Sequence, residues 1–300
     1  MGLRITDQGL ANARIGWISA GRTKLAEQER AISSGVQLEQ PSDDPAAAAQ
    51  LMRHDIRLQR ITQYQRNANN AKLWVASADS ALLAVSNNLN RAKTLGVQAG
   101  NDILGGVENA ALAADIRAVA AEIRTSANTK VSGRAIFAGT ADTPDAYDTA
   151  DTYMGDAGVV ELTIDTGESV VIGSSGPDVF GVSNGGDPMN GSVFEVLNAL
   201  ADAVEIGDTA AVRTGLEAID IAATRIGEAQ GRVGAISQQL DAAGVRHSGE
   251  RMAVQSTVSK IRDTDVAEAI IRLRSAEAGY EATLAATARG ISSSLLDFLR

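Results

Sequence analysis

The chain has no cysteine among its 300 residues, which excludes disulfides, thiolate metal sites and cysteine nucleophiles. Aromatic residues make up only 3% of the chain, although hydrophobic residues together reach 44%. Alanine is abundant and bulky rings are few. Such a composition favours slim, closely packed helices rather than a wide globular core. The composition therefore predicts a bundle of helices.

Two further absences concern membranes and nucleic acids. No run approaches the ~18 apolar residues of a membrane-spanning helix, and the start of the chain lacks the apolar core of a secretory signal peptide. These residues alone predict a cytoplasmic protein without membrane insertion. Acidic residues outnumber basic ones by 37 to 27, so a phosphate backbone would have to bind against a net charge of −10. We therefore expect no nucleic acid partner.

The joint between the first two predicted helices has clear stop and start signals. Gly35 suits the left-handed residue that ends a helix, and Pro41 disfavours helical geometry at the residue before it. Either Ser42 or Asp44 then caps a new helix, with Pro45 in its first turn. We expect one helix to end near this glycine and a much longer one to begin at this proline.

The helix before the joint has a thin apolar stripe. Ile18, Leu25 and Ile32 lie seven residues apart between polar positions, from about residue 3 to residue 34. Such a stripe needs a partner, because helices in water depend on packing an apolar face. The last predicted helix begins where Thr264 or Asp265 can act as its cap. Its apolar positions are Val266, Ile270, Leu273, Tyr280, Leu284, Ile291, Leu295 and Phe298.

Two longer segments have the spacing of coiled-coil seams. The first seam is Ile61, Tyr64, Ala68, Ala71, Val75, Ala78, Leu82, Val85, Leu89 and Ala92, and the second is Val212, Ile219, Ile226, Val233, Leu240, His247, Val254 and Ile261. A shorter helix with Leu112, Ile116, Val119 and Ile123 on one face lies between them. A helix from residue 44 to about 99 would extend roughly 80 Å, whereas a compact chain of this size is ~50 Å across. The sequence predicts a mainly α, elongated rod.

A different composition begins near residue 141. A short strand is predicted at 134–140, and glycine, aspartate and threonine dominate the next fifty residues. Leu162, Ile164, Val170 and Ile172 alternate with polar residues on either side of a Thr-Gly turn, which predicts a hairpin in a small β-rich insertion. Asp142, Asp145, Asp148 and Asp151 lack the spacing of a calcium-binding EF-hand loop. We assign no metal there.

These patterns divide the chain into three predicted domains. Residues 1–42 and 262–300 form a terminal helical assembly domain, residues 43–140 and 192–261 form a helical core, and residues 141–191 form the β-rich insertion. If the insertion folds separately, Ile164→Ala should leave the melting of the helices largely intact.

Catalytic signatures are missing from the sequence. It has no nucleophile elbow, phosphate-binding loop or zinc-type histidine spacing, so we predict no enzyme, no catalytic or binding residues and no cofactor. Of its two histidines, His247 falls on a predicted seam, where a polar residue more often sets the register, and His54 lies among arginines.

Several motifs together resemble one known family. The motifs are Ser33-Ser34-Gly35 with Pro41-Ser42-Asp43-Asp44-Pro45, Gln65-Arg66-Asn67, the turn at 97–101, Asn128-Thr129-Lys130 with the segment 133–140, Asp265-Val266-Ala267-Glu268-Ala269-Ile270, and the closing Leu-Asp-Phe-Leu. They are similar to the bacterial flagellin superfamily, and closest to its type 3 hook-associated proteins at the hook-filament junction. The resemblance covers roughly the first 140 and the last 110 residues.

The resemblance implies a structural role. A member of this branch is an adaptor on which flagellin assembles, so its implied partners are further copies in a ring or helical array, flagellin, the type 1 hook-associated protein and a flagellar export chaperone. It also implies an extracellular location in the flagellum, reached through the flagellar type III apparatus without a cleaved signal peptide.

Three alternatives stay open at this point. Filament flagellin shares the terminal helices, an unrelated intracellular scaffold could use the same coiled-coil seams, and an enzyme or ligand site could lie within 141–191. The last has little room, since some fifty residues make a poor active-site cavity.

Overall fold

A computed structural model describes residues 3–101, 105–183 and 191–298. In chain order the elements are α1 (Leu3–Ser34), α2 (Pro45–Asn101), α3 (Gly106–Ala127), β1 (Lys130–Val131), β2 (Arg134–Ala135), β3 (Glu161–Asp165), β4 (Glu168–Val171), α4 (Gly176–Phe180), α5 (Val193–Ile206), α6 (Thr209–Arg262) and α7 (Val266–Phe298). The mainly α class and the helix boundaries near the joint are confirmed. None of the described helices is long and apolar enough to cross a bilayer.

The chain divides into two compact units. We call Met1–Gln59 with Arg251–Arg300 the terminal unit, and Arg60–Glu250 the core unit. The segment 141–191 lies inside the core unit by this division. The three predicted domains, and the rod shape of the whole chain, stay predictions.

The seam of α2 forms one side of the core. Nine of its ten predicted positions are buried and Tyr64 is half-buried. On α6 the predicted positions from Val212 to Leu240, together with His247, are buried as well. Both seams are therefore confirmed, and their residues from Ala68 to Leu240 belong to one hydrophobic cluster.

The helices α3 and α5 pack against each other and complete this cluster. A capping box between Ser192 and Glu195 starts α5, and Gly207 ends it with a φ of 74°. Leu200 of α5 lies between two glycines: a Cβ added at Gly96 would be 3.2 Å from its Cδ2, and one added at Gly215 would be 3.0 Å from its Cδ1. Small residues on α2 and α6 therefore let α5 approach closely.

The predicted hairpin is present and packs against the helices. Strands β3 and β4 pair antiparallel, and Ile164 is fully buried within the same hydrophobic cluster as the helices. Nε2 of His247 lies 2.7 Å from the carbonyl oxygen of Ile164, and Nδ2 of Asn67 donates to the carbonyl of Thr163 at 2.7 Å. Since a carbonyl only accepts, Nε2 is the protonated nitrogen. This contact gives His247 a structural role.

The predicted strand at 134–140 is shorter than expected. Only Arg134 and Ala135 pair as β2; the chain then turns, Ala138 forms an isolated bridge with Ser175, and Gly139 takes a φ of 71°. Between Ala135 and Gly139 the backbone bonds to other segments. The carbonyl of Phe137 accepts bonds from Gly176 N at 2.8 Å and from the Tyr153 hydroxyl at 3.1 Å. The expectation of a longer strand was wrong for that reason.

An aromatic cluster contains five of the chain's ten aromatic residues. Its members are Phe137, Tyr147, Tyr153, Phe180 and Phe194, whose ring centroids lie 4.9 to 6.1 Å apart in the contacting pairs. Burial raises the pKa of Tyr147 above its ordinary range. The rings join the loop after β2 to α4 and α5, so half of the few aromatic residues pack in one place.

Three of the four aspartates between residues 142 and 151 have partners within the protein. Asp145 pairs with Lys130 at 3.0 Å, Asp151 pairs with Arg124 at 2.8 Å, and Asp148 accepts bonds from two backbone amides of its own turn. Asp142 is exposed. Across the described ranges, no group of three or more histidine or acidic side chains is placed to hold a metal ion.

Candidate assembly surface

The terminal unit is built on a pair of antiparallel helices, α1 and α7. Half-buried residues recur on α1 at spacings of four and three, and the same spacing occurs on α7. The seam positions are Arg14, Ile18, Gly21, Leu25, Gln28 and Ile32 on α1, and Ala269, Leu273, Ala276, Tyr280, Thr283 and Thr287 on α7. A Cβ added at Gly21 would lie 3.1 Å from Cδ2 of Tyr280. The predicted pairing of the N- and C-terminal helices is confirmed.

This seam is thin. Of its twelve positions only Ala269 is buried, and the others are half-buried. The predicted stripe of α1 lies on the seam, as do Leu273 and Tyr280 of α7. Val266, Ile270 and Leu284 instead remain exposed, by 51%, 41% and 40%. The last three predicted positions of α7 lie outside the residues whose side chains the structure describes.

Further large apolar side chains of the terminal unit are exposed. Ile15 and Trp17 of α1 are 65% and 61% exposed, and the others are Met52, Ile56, Met252 and Ile271. Exposed apolar groups of this number on a small helical unit are typical of a surface that meets a partner.

The joint holds the two halves of the terminal unit together through its backbone. Val36 and Asp263 form an isolated antiparallel bridge. Gln37 N donates to the carbonyl of Arg262 at 2.8 Å, and Thr264 N donates to the carbonyl of Gly35 at 2.9 Å. Gly35 takes a φ of 70°, as expected for the residue that ends α1.

Three aspartates, two in the joint and one just before α7, satisfy free backbone amides. Asp44 accepts from Ala46 N and Ala47 N at 2.9 and 3.0 Å, so it is the cap of α2 rather than Ser42. Asp265, rather than Thr264, caps α7. Asp43 accepts from two amides of the extended segment, at 3.2 and 2.8 Å. The two aspartates of the Pro41–Pro45 motif therefore have a structural role: Asp44 caps α2 and Asp43 holds the extended segment before it.

A groove of about 570 Å³ opens between α1, the joint and the start of α7. We call it the acidic groove. Its lining residues are Glu27, Gln28, Arg30, Ala31, Val36, Gln37, Glu39, Gln40, Asp43, Thr264, Asp265, Glu268, Ala269 and Arg272, of which five are acidic and two basic. Sequence reasoning missed this groove, because its residues are far apart in the chain until α1 and α7 pair.

The carboxylates of the acidic groove differ in their bonding. Asp43 and Asp265 bind backbone amides, and Glu268 accepts from Arg272 at 2.6 Å. Among the described residues, the side-chain carboxylates of Glu27 and Glu39 have no hydrogen bond or ion pair. The groove therefore holds uncompensated negative charge.

Both terminal models of one protein family match the chain. Residues 6–142 match the bacterial flagellin N-terminal helical region, and residues 216–299 match the bacterial flagellin C-terminal helical region.

Individual relatives extend this finding. The flagellar hook-associated protein 3 of Salmonella typhimurium is 31% identical over 174 residues, which are 57% of this chain and 52% of that protein. This chain thus spans about half the length of that relative. Flagellin FlaB2 of Treponema pallidum is 24% identical over 258 residues, which cover 84% of both chains. A flagellar hook-associated protein structure from Vibrio parahaemolyticus superposes with a TM-score of 0.67 and 22% identity, over 74% of this chain and 100% of that chain.

Proposed function

Because this chain belongs to the bacterial flagellin family, we propose that it is a structural adaptor at the hook-filament junction. The observation that supports this most directly is the terminal unit, where α1 and α7 share a half-buried seam and keep large apolar side chains exposed. A helix pair of this kind gains stability from neighbours. The chain's similarity to a hook-associated protein 3 favours the junction over other positions in the flagellum.

The proposed partners follow from that position. Copies of this chain would form a ring or helical array, with flagellin on the outer side and the type 1 hook-associated protein on the inner side. An export chaperone would hold the C-terminal helix before assembly. The protein would leave the cell through the flagellar type III apparatus without a cleaved signal peptide and remain in the extracellular flagellum.

The proposal includes no catalytic activity, cofactor or small-molecule site. This part of the proposal is supported by the bonding of Asp145, Asp148 and Asp151. Their carboxylates are paired with Lys130 and Arg124 or accept bonds from turn amides. His247 is likewise used in binding the hairpin to α6. A screen of the purified chain for hydrolase and lyase activity tests this part, and turnover abolished by a single substitution would contradict it.

Filament flagellin is the second candidate function. The observation that favours it is the 84% coverage of both chains in the match to a treponemal flagellin. Filament subunits and junction subunits share terminal helices, so pairing of α1 with α7 does not separate them. A junction subunit must present different surfaces to two kinds of neighbour, and its self-association should stop at a ring.

Deletion of the gene separates the two candidates. We expect cells without this protein to build a hook, release flagellin unpolymerised into the medium and be non-motile. The purified protein should form no long filaments under salting-out conditions that polymerise flagellin. Micrometre-scale filaments of the protein alone, or deletion cells with short filaments and no released flagellin, would establish the filament role instead.

A further inference from the structure

We propose that the contact between His247 and Ile164 is pH-sensitive: it holds the hairpin of β3 and β4 against α6 at neutral pH and releases it in mild acid. The bond from Nε2 of His247 to the Ile164 carbonyl is 2.7 Å long and joins residues 83 positions apart in the chain. The inference concerns the core unit alone, so its failure would leave the proposed function untouched.

A bulge in the hairpin sets Ile164 apart from the regular strand pairing. The register of β3 on β4 shifts between Thr163 and Asp165, which leaves Ile164 without a partner residue on β4. Its side chain is fully buried in the hydrophobic cluster. A buried backbone oxygen is costly unless it accepts a hydrogen bond, and His247 supplies the donor from α6. The bulge and the histidine therefore act as one structural unit.

The second ring nitrogen of His247 has no such bond. The residue is only 1% exposed, and its Nδ1 is buried without a hydrogen-bond partner among the described residues. Because Nε2 carries the single proton of the neutral ring, a proton added to Nδ1 would create a second N–H with no acceptor. It would also place a full positive charge in an apolar core, where an unpaired charge is strongly disfavoured. The closed contact therefore requires the neutral imidazole.

The charged groups of the hairpin are bonded to other partners. Glu168 of β4 binds Gln239 at 3.2 Å and Arg246 at 3.0 Å, one carboxylate oxygen to each. Asp165 of β3 accepts a bond from the next backbone amide. Neither carboxylate is bonded to Nδ1 of His247, so these acids do not compensate a positive charge on its ring.

The titratable groups of the two neighbouring helices give no compensation either. On α2, the Tyr64 ring stacks on the imidazole with centroids 5.8 Å apart, and Lys72 pairs with Asp241 of α6 at 2.5 Å. The charged residues within about one turn of His247 on α6 each have an interaction of their own, and they are Arg246, Glu250 and Arg251. Among the described residues, none of these groups is bonded to Nδ1.

The direction of the pH effect follows from these contacts. An imidazole in water takes up a proton as the pH falls below about 6.5, and opening of the hairpin exposes this ring to water. The open form then binds more protons than the closed form, so the closed form loses stability as the pH falls. The contact is therefore fully effective above about pH 7 and weakens toward about pH 5.

Amide hydrogen exchange of the purified full-length protein tests the proposal. Peptides that span 161–171 are compared at pH 7.5 and pH 5.5, with exchange corrected for its intrinsic dependence on pH. We expect protection of the hairpin to fall about tenfold, the effect of one proton taken up by the open form alone at about one pH unit below 6.5. Peptides of α3 should change much less. An equal loss of protection in α3 would mean that the whole core unit opens, and would overturn a local release.

Two matched variants separate His247 from other effects of acid. His247→Gln keeps an N–H donor for the Ile164 carbonyl but takes up no proton in this pH range, so its hairpin should be equally protected at both pH values. His54→Gln, which removes the chain's other histidine, should behave as the wild type. An unchanged pH dependence in His247→Gln, or its loss in His54→Gln, contradicts the inference.

Nitrogen NMR of labelled histidine covers the case in which His247→Gln does not fold. The chain has only two imidazoles, and His54→Gln leaves the signals of His247 alone. We expect Nε2 of the closed protein to carry the proton, and Nδ1 to remain unprotonated, at pH 7.5 and at pH 5.5. A doubly protonated ring at pH 5.5 in a protein whose hairpin is as protected as at pH 7.5 would show that the contact tolerates the charge, and the proposal would be wrong.

Discussion

The core unit and the terminal unit use similar helices in different ways. In the core unit the seams of α2 and α6 are buried by α3, α5 and the hairpin, and one hydrophobic cluster runs from Ala68 to Ala243. In the terminal unit Ala48, Val254, Val258 and Ala269 are the only buried apolar residues among those described. The same heptad spacing thus gives a finished core in one unit and a half-buried pair in the other, because the number of neighbouring helices differs.

Charge separates the two units as well. All of the chain's net negative charge lies in the core unit, and the terminal unit is nearly neutral. A stable, acidic core suits a soluble protein, and a neutral unit with exposed apolar side chains suits repeated contact with other copies. We therefore expect the stability of the fold to depend on the core unit and the proposed assembly to depend on the terminal unit.

The largest expected difference between the units is in amide hydrogen exchange. In the isolated protein, amides of α3 should exchange at least about a hundredfold more slowly than those of residues 12–34 in α1, because opening a half-buried pair costs far less than unfolding a core. Mass spectrometry of peptides after timed exchange measures this. The two ends should gain protection in flagella. Equal protection of α1 and α3 in the free protein would show that the terminal unit needs no neighbours.

The next largest difference should be in how much alanine substitutions in the two units lower the free energy of unfolding. Leu89→Ala and Ile164→Ala each remove a fully buried side chain of the core cluster, so each should lower the free energy of unfolding by about 2–5 kcal/mol. Leu273→Ala, in the half-buried seam of α7, should cost about 1 kcal/mol or less. Denaturant unfolding followed by circular dichroism measures all three.

The result for Ile164 also decides whether the insertion is independent. Its burial and the bond from His247 to its carbonyl argue against the separate folding that composition suggested. If Ile164→Ala leaves the unfolding of the helices unchanged while Leu89→Ala lowers it, the hairpin folds on its own after all.

Periodicity made most of the helical fold predictable. The spacing of apolar residues on α2 and α6 identified nearly every buried seam position, since burial follows directly from helical geometry. The boundaries at Gly35 and Pro45 were readable because these residues have strong backbone preferences. Composition was a weaker guide, because a segment rich in glycine and aspartate can still insert Ile164 and Phe180 into a helical core.

The candidate assembly surface was predictable only in part. The stripe of Ile18, Leu25 and Ile32 showed that α1 needs a partner, but α7 placed Ile270 and Leu284 on its exposed side. One apolar stripe on a helix can face either its partner in the same chain or a partner outside it. The acidic groove depends on long-range pairing at the Val36–Asp263 bridge, which no local pattern encodes.

The smallest expected effect concerns the turn between α6 and α7 under acid. The hydroxyl of Ser259 donates to the Asp263 carboxylate at 2.5 Å, and this bond, with a smaller contribution from Arg262, holds the pKa of Asp263 below its ordinary value. A lowered pKa stabilises the folded state above the unfolded value of about 3.9, and that stabilisation is lost as the pH falls through the folded value. The contribution should therefore be intact at neutral pH and disappear only in strong acid.

Ser259→Ala removes the main donor to Asp263 and should raise the pKa of that carboxyl toward its ordinary value. In the core unit, Asp156 has a pKa lowered in the same way by Thr140, so Thr140→Val is the matched change there. Carboxyl carbon chemical shifts followed by NMR from pH 6 to pH 2 measure both values. Each substitution should move only the aspartate of its own unit. If Ser259→Ala changes the pKa of both Asp263 and Asp156, the two carboxyl groups are coupled. The terminal unit and the core unit would then not respond to acid independently.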